Sequence, residues 1–219
     1  MKIVLVGMGG FASEIAGYLQ HDIGRGLLPQ HELAGVVDDF ASDPPEQVYG
    51  LPFLGRARDY RFDADTRCVV TTGTPKWRAQ SILALKARGA RLMTVVHSSA
   101  YVSAAATLGE GVVVAAQAIV NSGAKVGDGV AINVACSVGH DTEIGEYSVL
   151  SPFSALGGWS RMGRLCFLGT RATLYPRVRI GDLCVVDTHS FVKQDLPERK
   201  MVACRSQYLV VDNRMGEDV

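Results

Sequence analysis

The sequence predicts a two-part chain, an α/β unit over residues 1–95 followed by a parallel β-helix over residues 96–196. Three observations carry that prediction. From Val96 to Val192 every sixth residue is aliphatic or methionine, without a break. The residue four positions after each of the first sixteen of these is small, being Ala, Ser, Cys, Thr or Val. Ahead of the repeat, apolar strand-like runs alternate with helical patterns around glycine turns. Where about one residue in three is of the aliphatic kind, so long a run arises by chance on the order of once in 10⁷ trials. The period is therefore structural.

The first element is KIVLVGMGGFASEIAGYL, an apolar strand, a glycine turn and an amphipathic helix with Ala12, Ile15 and Leu19 on one face. Gly7, Gly9 and Gly10 fit G-x-G-x-x-A, with Phe11 inside the motif; such a turn lets backbone approach a phosphate at a helix N-terminus. HELAGVVDDF reads as a second strand ending in Asp38 and Asp39, where carboxylates commonly take ribose or base hydroxyls. RCVVTTGTPKWRAQSILALKARG reads as a third strand, a turn carrying Gly73 and a second helix. Together these make a doubly wound α/β unit. Some 95 residues supply roughly half of a six-stranded dinucleotide fold, so a mononucleotide or nucleotide-sugar site fits better than a dinucleotide one. The alternative is that the glycines serve only the turn and the two aspartates are solvated.

In the repeat, six residues make one short strand and one corner, three hexads close a triangular coil, and residues eighteen apart lie over one another. The hexads suffice for a little over five coils. Glycine often follows the inward aliphatic, as at Gly109, Gly127, Gly139, Gly157 and Gly169, which suits a backbone that turns sharply once per repeat. Cys136, Cys166 and Cys184 fall in the small column and read as buried spacers. With Cys68 and Cys204 they form an odd set lacking C-x-x-C spacing, so the chain is expected to hold reduced thiols and no metal.

With 22 basic and 22 acidic residues, the charge balance gives no global attraction for nucleic acid or an anionic membrane. The opening MKIVLVGMGG is too short for a signal-peptide core, and no run of 18 apolar residues occurs, so a soluble cytoplasmic protein is expected. Positive charge is local: Arg161, Arg164, Arg171, Arg177 and Arg179 lie between Glu146 and Asp182 with no acid among them. Arg161 and Arg179 are eighteen apart, which puts them at one corner on successive coils. Such a column suits phosphates, or else forms a basic face pairing with acids of a neighbouring subunit.

The stretch CSVGHDTEIG places His140 and Asp141 two and three residues past inward Val138, at a corner where packing does not require them. An imidazole accepts a proton near neutral pH, and an adjacent carboxylate fixes its tautomer and stabilises the imidazolium. A solvated corner histidine is the alternative. His97 reads as a cap where the first coil begins, His189 as an exposed residue of a face, and His21 and His31 as solvated.

The segments GMGGFASEIA, VVDDF, VVTTGTPKWR, INVACSVGHDTEIG, CFLGTRATLYPRVRIGD and FVKQDLP, spread over about residues 1–200, resemble the sugar O- and N-acetyltransferases of the sialic-acid O-acetyltransferase and bacillosamine N-acetyltransferase group. The resemblance implies a Rossmann-like first domain, a left-handed β-helix and a C-terminal tail over 197–219. It implies a homotrimer with active sites between adjacent helices. It assigns His140 as general base and Asp141 as its orienting carboxylate, with acetyl-CoA as donor and no metal. The nucleotide-sugar acceptor falls to Gly9, Gly10, Phe11, Asp38, Asp39 and Gly73, and Asn133 contacts the sugar or supports the histidine loop. Ser154, Ala155 and Gly157 line a pantetheine channel, with a backbone N–H near Gly157 for the oxyanion. Arg161, Arg171, Arg177 and Arg179 meet the phosphates of coenzyme A.

Three departures stand out: Phe11 replaces a frequent histidine, Val149 replaces a second histidine nine residues after the base, and MVACRSQYLVVDNRMGEDV lacks the usual glycine-valine-proline-alanine segment. The expected activity is transfer of acetyl to an amino group of a nucleotide-linked amino sugar. Two rivals remain open: O-acetylation of a free sugar such as a sialic acid, and a noncatalytic nucleotide-binding scaffold that no longer uses the donor.

Overall fold

The computed structural model describes residues 1–41 and 45–204. Its first part is a parallel sheet built from β1 (Lys2–Val6), β2 (Glu32–Val37), β5 (Thr66–Val70) and β6 (Arg91–Leu92), in the order β2-β1-β5-β6. A small antiparallel hairpin, β3 (Gln47–Val48) and β4 (Leu51–Pro52), lies between β2 and β5 in the chain. Because side chains alternate along a strand, β1 feeds two cores. Ile3 and Leu5 pack with Ile15 and Leu19 of α1 (Gly10–Gly24), while Val4 and Val6 pack with Ile82 and Leu85 of α2 (Pro75–Ala87). Helix α2 begins with Pro75 in its first turn, where a missing N–H costs nothing. The loops after β1, β2 and β5 all leave the same edge of the sheet, which gathers the glycine turn, Asp38–Asp39 and Gly73 in one place.

The second part is a three-faced parallel β-solenoid with seven-, six- and five-stranded faces. Its register is the predicted eighteen: Val114 pairs with Ile132, Val120 with Val138, and Ile144 with Met162. The inward column is buried from Val114 to Val192, with Val114, Val138, Leu150, Leu168 and Leu174 fully so, whereas Val96, where the repeat begins, is exposed and Val102 and Leu108 are partly buried. Cys136, Cys166 and Cys184 fill the small column, and burial pushes the Cys166 thiol up to about 12. Among the described residues, no helix is long and apolar enough to cross a membrane.

Two expectations need correction. The glycines that follow the inward aliphatic do not turn the corner. They stand where the next coil's backbone passes: a Cβ on Gly139 would lie 2.6 Å from the Gly158 nitrogen, and one on Gly169 would lie 2.5 Å from the Thr188 nitrogen. The left-handed backbone sits two residues later, mostly on non-glycine residues such as Asp141 (φ 55°), Trp159 (φ 57°) and Arg177 (φ 67°). Nor does the solenoid stop at residue 196. Leu196 bridges Ile180 and the strand Met201–Val202 pairs with Val185–Val186, spacings of sixteen where eighteen would be regular. The coil has simply been shortened by two residues. Of the predicted tail, residues 205–219 lie outside the described residues.

The two parts share a core. Val95 and Val113, on the seven-stranded face, pack with Ile3, Leu5 and Val69 of the sheet. Arg78 of α2 is fully buried and faces no carboxylate among the described residues. Its guanidinium donates to the carbonyls of Val70 (2.6 Å), Gly111 (3.1 Å) and Gly129, the last two being left-handed corners of successive coils. Burial lowers its pKa to about 9, which still leaves it charged at neutral pH. Lys86 adds ion pairs to Glu110 (2.7 Å) and Asp128 (3.0 Å). Near the first corner, Asp22 accepts from the Ser98 N–H, and His97 packs against Tyr18 and His21 with Nδ1 accepting from the Ser99 N–H. His97 thus acts as the expected cap.

Replacing Arg78 by Ala removes the donors from several buried carbonyls at once. The expected loss is about 3 kcal/mol of unfolding free energy in urea titrations, and Arg78→Lys should not restore it, because one ammonium cannot reproduce the fork.

Candidate active site

His140 and Asp141 occupy the corner between the strands Ser137–Val138 and Glu143–Ile144, and each is about half exposed. The His140 Nδ1 lies 2.9 Å from Asp141 Oδ2. Donation from Nδ1–H to that carboxylate leaves Nε2 with a free lone pair, the arrangement a proton acceptor needs. The backbone holds both residues through the coil ladder. Asp141 N–H donates to the Ser122 carbonyl at 2.9 Å, and Trp159 N–H donates to the His140 carbonyl at 3.0 Å.

The pair is seated between two glycines, one on each neighbouring coil. A Cβ on Gly123 would collide with Asp141 Oδ1, and one on Gly158 would lie 2.6 Å from His140 Nε2. Above them, the Trp159 ring meets the His140 ring edge-on at 4.2 Å, and Arg177 lies 4.3 Å over the Trp159 ring. Sequence reading missed Gly158 and Trp159. The signal was present, since both lie eighteen residues from the pair.

From this corner the six-stranded face carries a groove of about 460 Å³ lined by Ser137, Ala155, Gly157, Thr173, Tyr175 and Phe191 among others. Ala155 and Gly157 thus line an open groove. Ser154 does not: it is fully buried in the solenoid, with its hydroxyl 3.4 Å from the Cys136 sulfur. The Gly157 N–H is already committed to the Leu174 carbonyl at 2.9 Å, so it is not free for an oxyanion. The Gly158 N–H has no acceptor among the described residues. Asn133 precedes the corner at the other end of the Ser137–Val138 strand, and its Oδ1 accepts from the Val134 N–H. Within one chain it stands apart from His140. Val149 is buried on the seven-stranded face.

The arginines do not form one cluster. Arg161 and Arg179 are register partners on the five-stranded face, in an open recess of about 820 Å³, and Arg161 also approaches Glu143 at 3.5 Å. Arg177 belongs to the His140 corner. Arg171 sits at a different corner over Phe153, one coil before exposed His189.

At the sheet edge, Asp38 accepts from the N–H groups of Met8 (2.9 Å), Phe40 (2.7 Å) and Ala41 (3.1 Å), and Asp39 accepts from Arg58 N–H (2.9 Å). Asp38 thus ties the end of β2 to the glycine turn. The Tyr49 hydroxyl adds a bond to the Met8 carbonyl at 2.8 Å. Gly9, Gly10 and Gly73 border open space, whereas Phe11 packs against the α1 core. Beside them Phe40, Thr72, Thr74 and Trp77 enclose a recess of about 330 Å³ whose two aromatic rings meet at 5.6 Å. Exposed aromatic faces with hydroxyls nearby suit a planar heterocycle.

No family model matches the sequence, and no curated protein matches it. Solved structures do. The chain is similar to a histidine-to-asparagine variant of perosamine N-acetyltransferase from Caulobacter crescentus in complex with CoA and GDP-perosamine, at 31% identity over 90% of each chain with a TM-score of 0.79. It is similar to the acetyltransferase domain of PglB from Neisseria gonorrhoeae, at 26% identity over 93% of this chain and 96% of that one, with a TM-score of 0.83. WeeI from Acinetobacter baumannii shares the fold, at 18% identity over 93% of this chain and 97% of that one, with a TM-score of 0.80.

Gly158→Ala puts a methyl group where the imidazole lies. Its crystal structure should show His140 rotated off the corner, with unfolding free energy within about 1 kcal/mol of the parent; an unmoved ring would refute the seating described above.

Proposed function

The chain belongs to the hexapeptide-repeat sugar N-acetyltransferases, and on that premise we propose that it transfers acetyl from acetyl-CoA to the amino group of a nucleotide-linked amino sugar. The observation that carries this reading is the His140–Asp141 pair, its Nε2 unpaired and lying over Gly158, the residue next to Gly157 of the groove lining. In the proposed reaction the neutral amine attacks the thioester carbonyl. A C–N bond forms, the nitrogen's proton passes to His140 Nε2, and the C–S bond breaks as the tetrahedral intermediate collapses. The imidazolium then returns the proton to the departing thiolate, giving free CoA and an amide. Asp141 keeps the imidazole in the accepting tautomer, and the Gly158 N–H replaces Gly157 as the oxyanion donor.

On the same reading the solenoid winds left-handed and begins near residue 96, and residues 1–95 form a Rossmann-like nucleotide domain. The diphosphate lies over Gly9 and Gly10 at the start of α1, with Gly73 beside it. Asp38 and Asp39 shape that pocket through the backbone, and Phe40 and Trp77 flank the base. Ala155 and Gly157 border the pantetheine arm, and Arg161 and Arg179 are the arginines best placed to meet donor phosphates. A homotrimer would bring Asn133 of one subunit toward His140 of another. An acetyl-CoA-dependent reaction fits a cytoplasmic protein.

Two experiments test this. The full chain, given acetyl-CoA with GDP-perosamine, UDP-linked amino sugars or free sialic acid, should yield an N-acetylated nucleotide sugar by mass spectrometry. O-acetylated sialic acid would favour the first rival, and no product together with no CoA binding would favour the scaffold. His140→Ala should lower kcat by about 10²–10⁴-fold while CoA affinity by calorimetry is kept; undiminished turnover would remove His140 from the mechanism.

Trp77→Ala should weaken GDP binding about tenfold without altering acetyl-CoA affinity. Equal loss of both ligands would instead indicate a folding defect.

A further inference from the structure

The coils of a parallel solenoid are spaced like neighbouring strands, about 4.8 Å apart. Side chains eighteen residues apart therefore stack when they leave the backbone in the same direction. At the His140 corner that direction is shared, because Asp141, Trp159 and Arg177 all adopt left-handed backbone on successive coils. The sequence of this column is acid, indole, guanidinium. Trp159 is the member that touches the histidine, with ring centroids 4.2 Å apart and planes at 85°, and Arg177 covers the indole at 4.3 Å.

A second column offers a comparison. Phe153 and Arg171 form the same aromatic–guanidinium stack at another corner, at 5.1 Å, with Ala135 and not a dyad on the coil before. Stacking alone is thus a general feature of these corners. What distinguishes Trp159 is the imidazole against its ring. His140 is otherwise held by a single side-chain hydrogen bond, in a pair that is half open to water. Such a bond leaves the ring free to swing outward, and Gly158, on which it rests, has no side chain to hold it.

We propose that Trp159, backed by Arg177, is a positioning residue for His140: it confines the imidazole to the space outside Gly158 with Nδ1 on Asp141 and Nε2 presented for proton transfer. This rests on the reading of His140 as the base, yet it makes a structural claim that can be read without turnover. A sugar ring or an adenine stacking on the indole is the competing use of an exposed tryptophan. That use is limited here, since Arg177 lies over one face of the ring and His140 lies against it edge-on.

The test uses the full chain labelled with ¹⁵N-histidine. In the parent, the ring nitrogens of His140, assigned by its loss in His140→Ala, should report a single neutral tautomer protonated at Nδ1. Trp159→Ala should give averaged tautomers, and Trp159→Phe should restore the parent spectrum. Arg177→Met should fall between the parent and Trp159→Ala. Phe153→Ala serves as the packing control, and its His140 signals should match the parent. With acetyl-CoA and GDP-perosamine as the probe pair, Trp159→Ala should lower kcat about tenfold with the KM for acetyl-CoA within about threefold. An unchanged tautomer in Trp159→Ala overturns the proposal, as does a failure of Trp159→Phe to restore it. A rise in acetyl-CoA KM with the parent tautomer would assign the indole to the donor instead. If His140→Ala keeps full turnover while the tautomer still depends on Trp159, the base assignment falls and the positioning contact stands.

Discussion

The placement of the sheet edge relative to the His140 corner depends on how the sheet is fastened to the solenoid, and the fastener is the Arg78 guanidinium. It is buried without a carboxylate partner among the described residues, so its charge is compensated by carbonyl dipoles. Those carbonyls come from both parts: Val70 at the end of a sheet strand, and Gly111 and Gly129 at solenoid corners. A planar fork with five donors in fixed directions can join three backbone segments in a way an ammonium cannot. The glycines complete the joint. At Gly129 a Cβ would meet Ile82 of α2 at 2.5 Å, and one coil later Tyr147 at the same corner packs into that core. The sheet edge and the histidine corner are thereby held in one frame.

The solenoid contributes a ruler. Once the coil holds eighteen residues, any two positions that far apart become neighbours, and chemistry can be assembled from residues that the chain separates. The His140–Asp141 pair shows the consequence: its seat is made by Gly123 and Gly158, and its wall by Trp159, none of them sequence neighbours. Left-handed backbone at non-glycine corners costs of order 1 kcal/mol per residue. The coil sustains this because its ladder bonds and buried aliphatic column hold each corner in place.

Much of this was legible in the sequence. The inward column, the small column, the placement of three cysteines and the corner location of His140 all follow from a period visible along the chain. The less legible parts share a cause. Glycines after the inward aliphatic looked like turn residues, yet Gly139 and Gly169 are required by the passage of the next coil, a contact that composition does not display. Ser154 looked like part of a channel because it adjoins Ala155, yet alternation sends its hydroxyl inward to Cys136. The five arginines are close in sequence, yet a three-sided coil distributes them over a face and three separate corners, with Arg164 paired to Glu146 at the third. Asp38 looked like a ligand for a ribose and is instead engaged by three backbone N–H groups.

By itself, then, the sequence determined what repeats and what must be buried: six-residue repeats, eighteen-residue coils, aliphatic centres with small spacers, and a histidine–aspartate pair at a position free of packing duty. These are local properties, set by the alternation of side chains along a strand and the number of residues that closes a coil, and a one-dimensional pattern is enough to reveal them. Only the tertiary structure decided in which direction stacked side chains leave the coil and which residues meet across the junction. Trp159 reaches His140, Arg177 reaches Trp159, and Arg78 reaches the corners at Gly111 and Gly129 because left-handed corners fix the direction in which each side chain leaves the backbone. The docking of the sheet then selects which corners are covered. Direction and docking are long-range outcomes of packing, and no spacing in the chain encodes them separately.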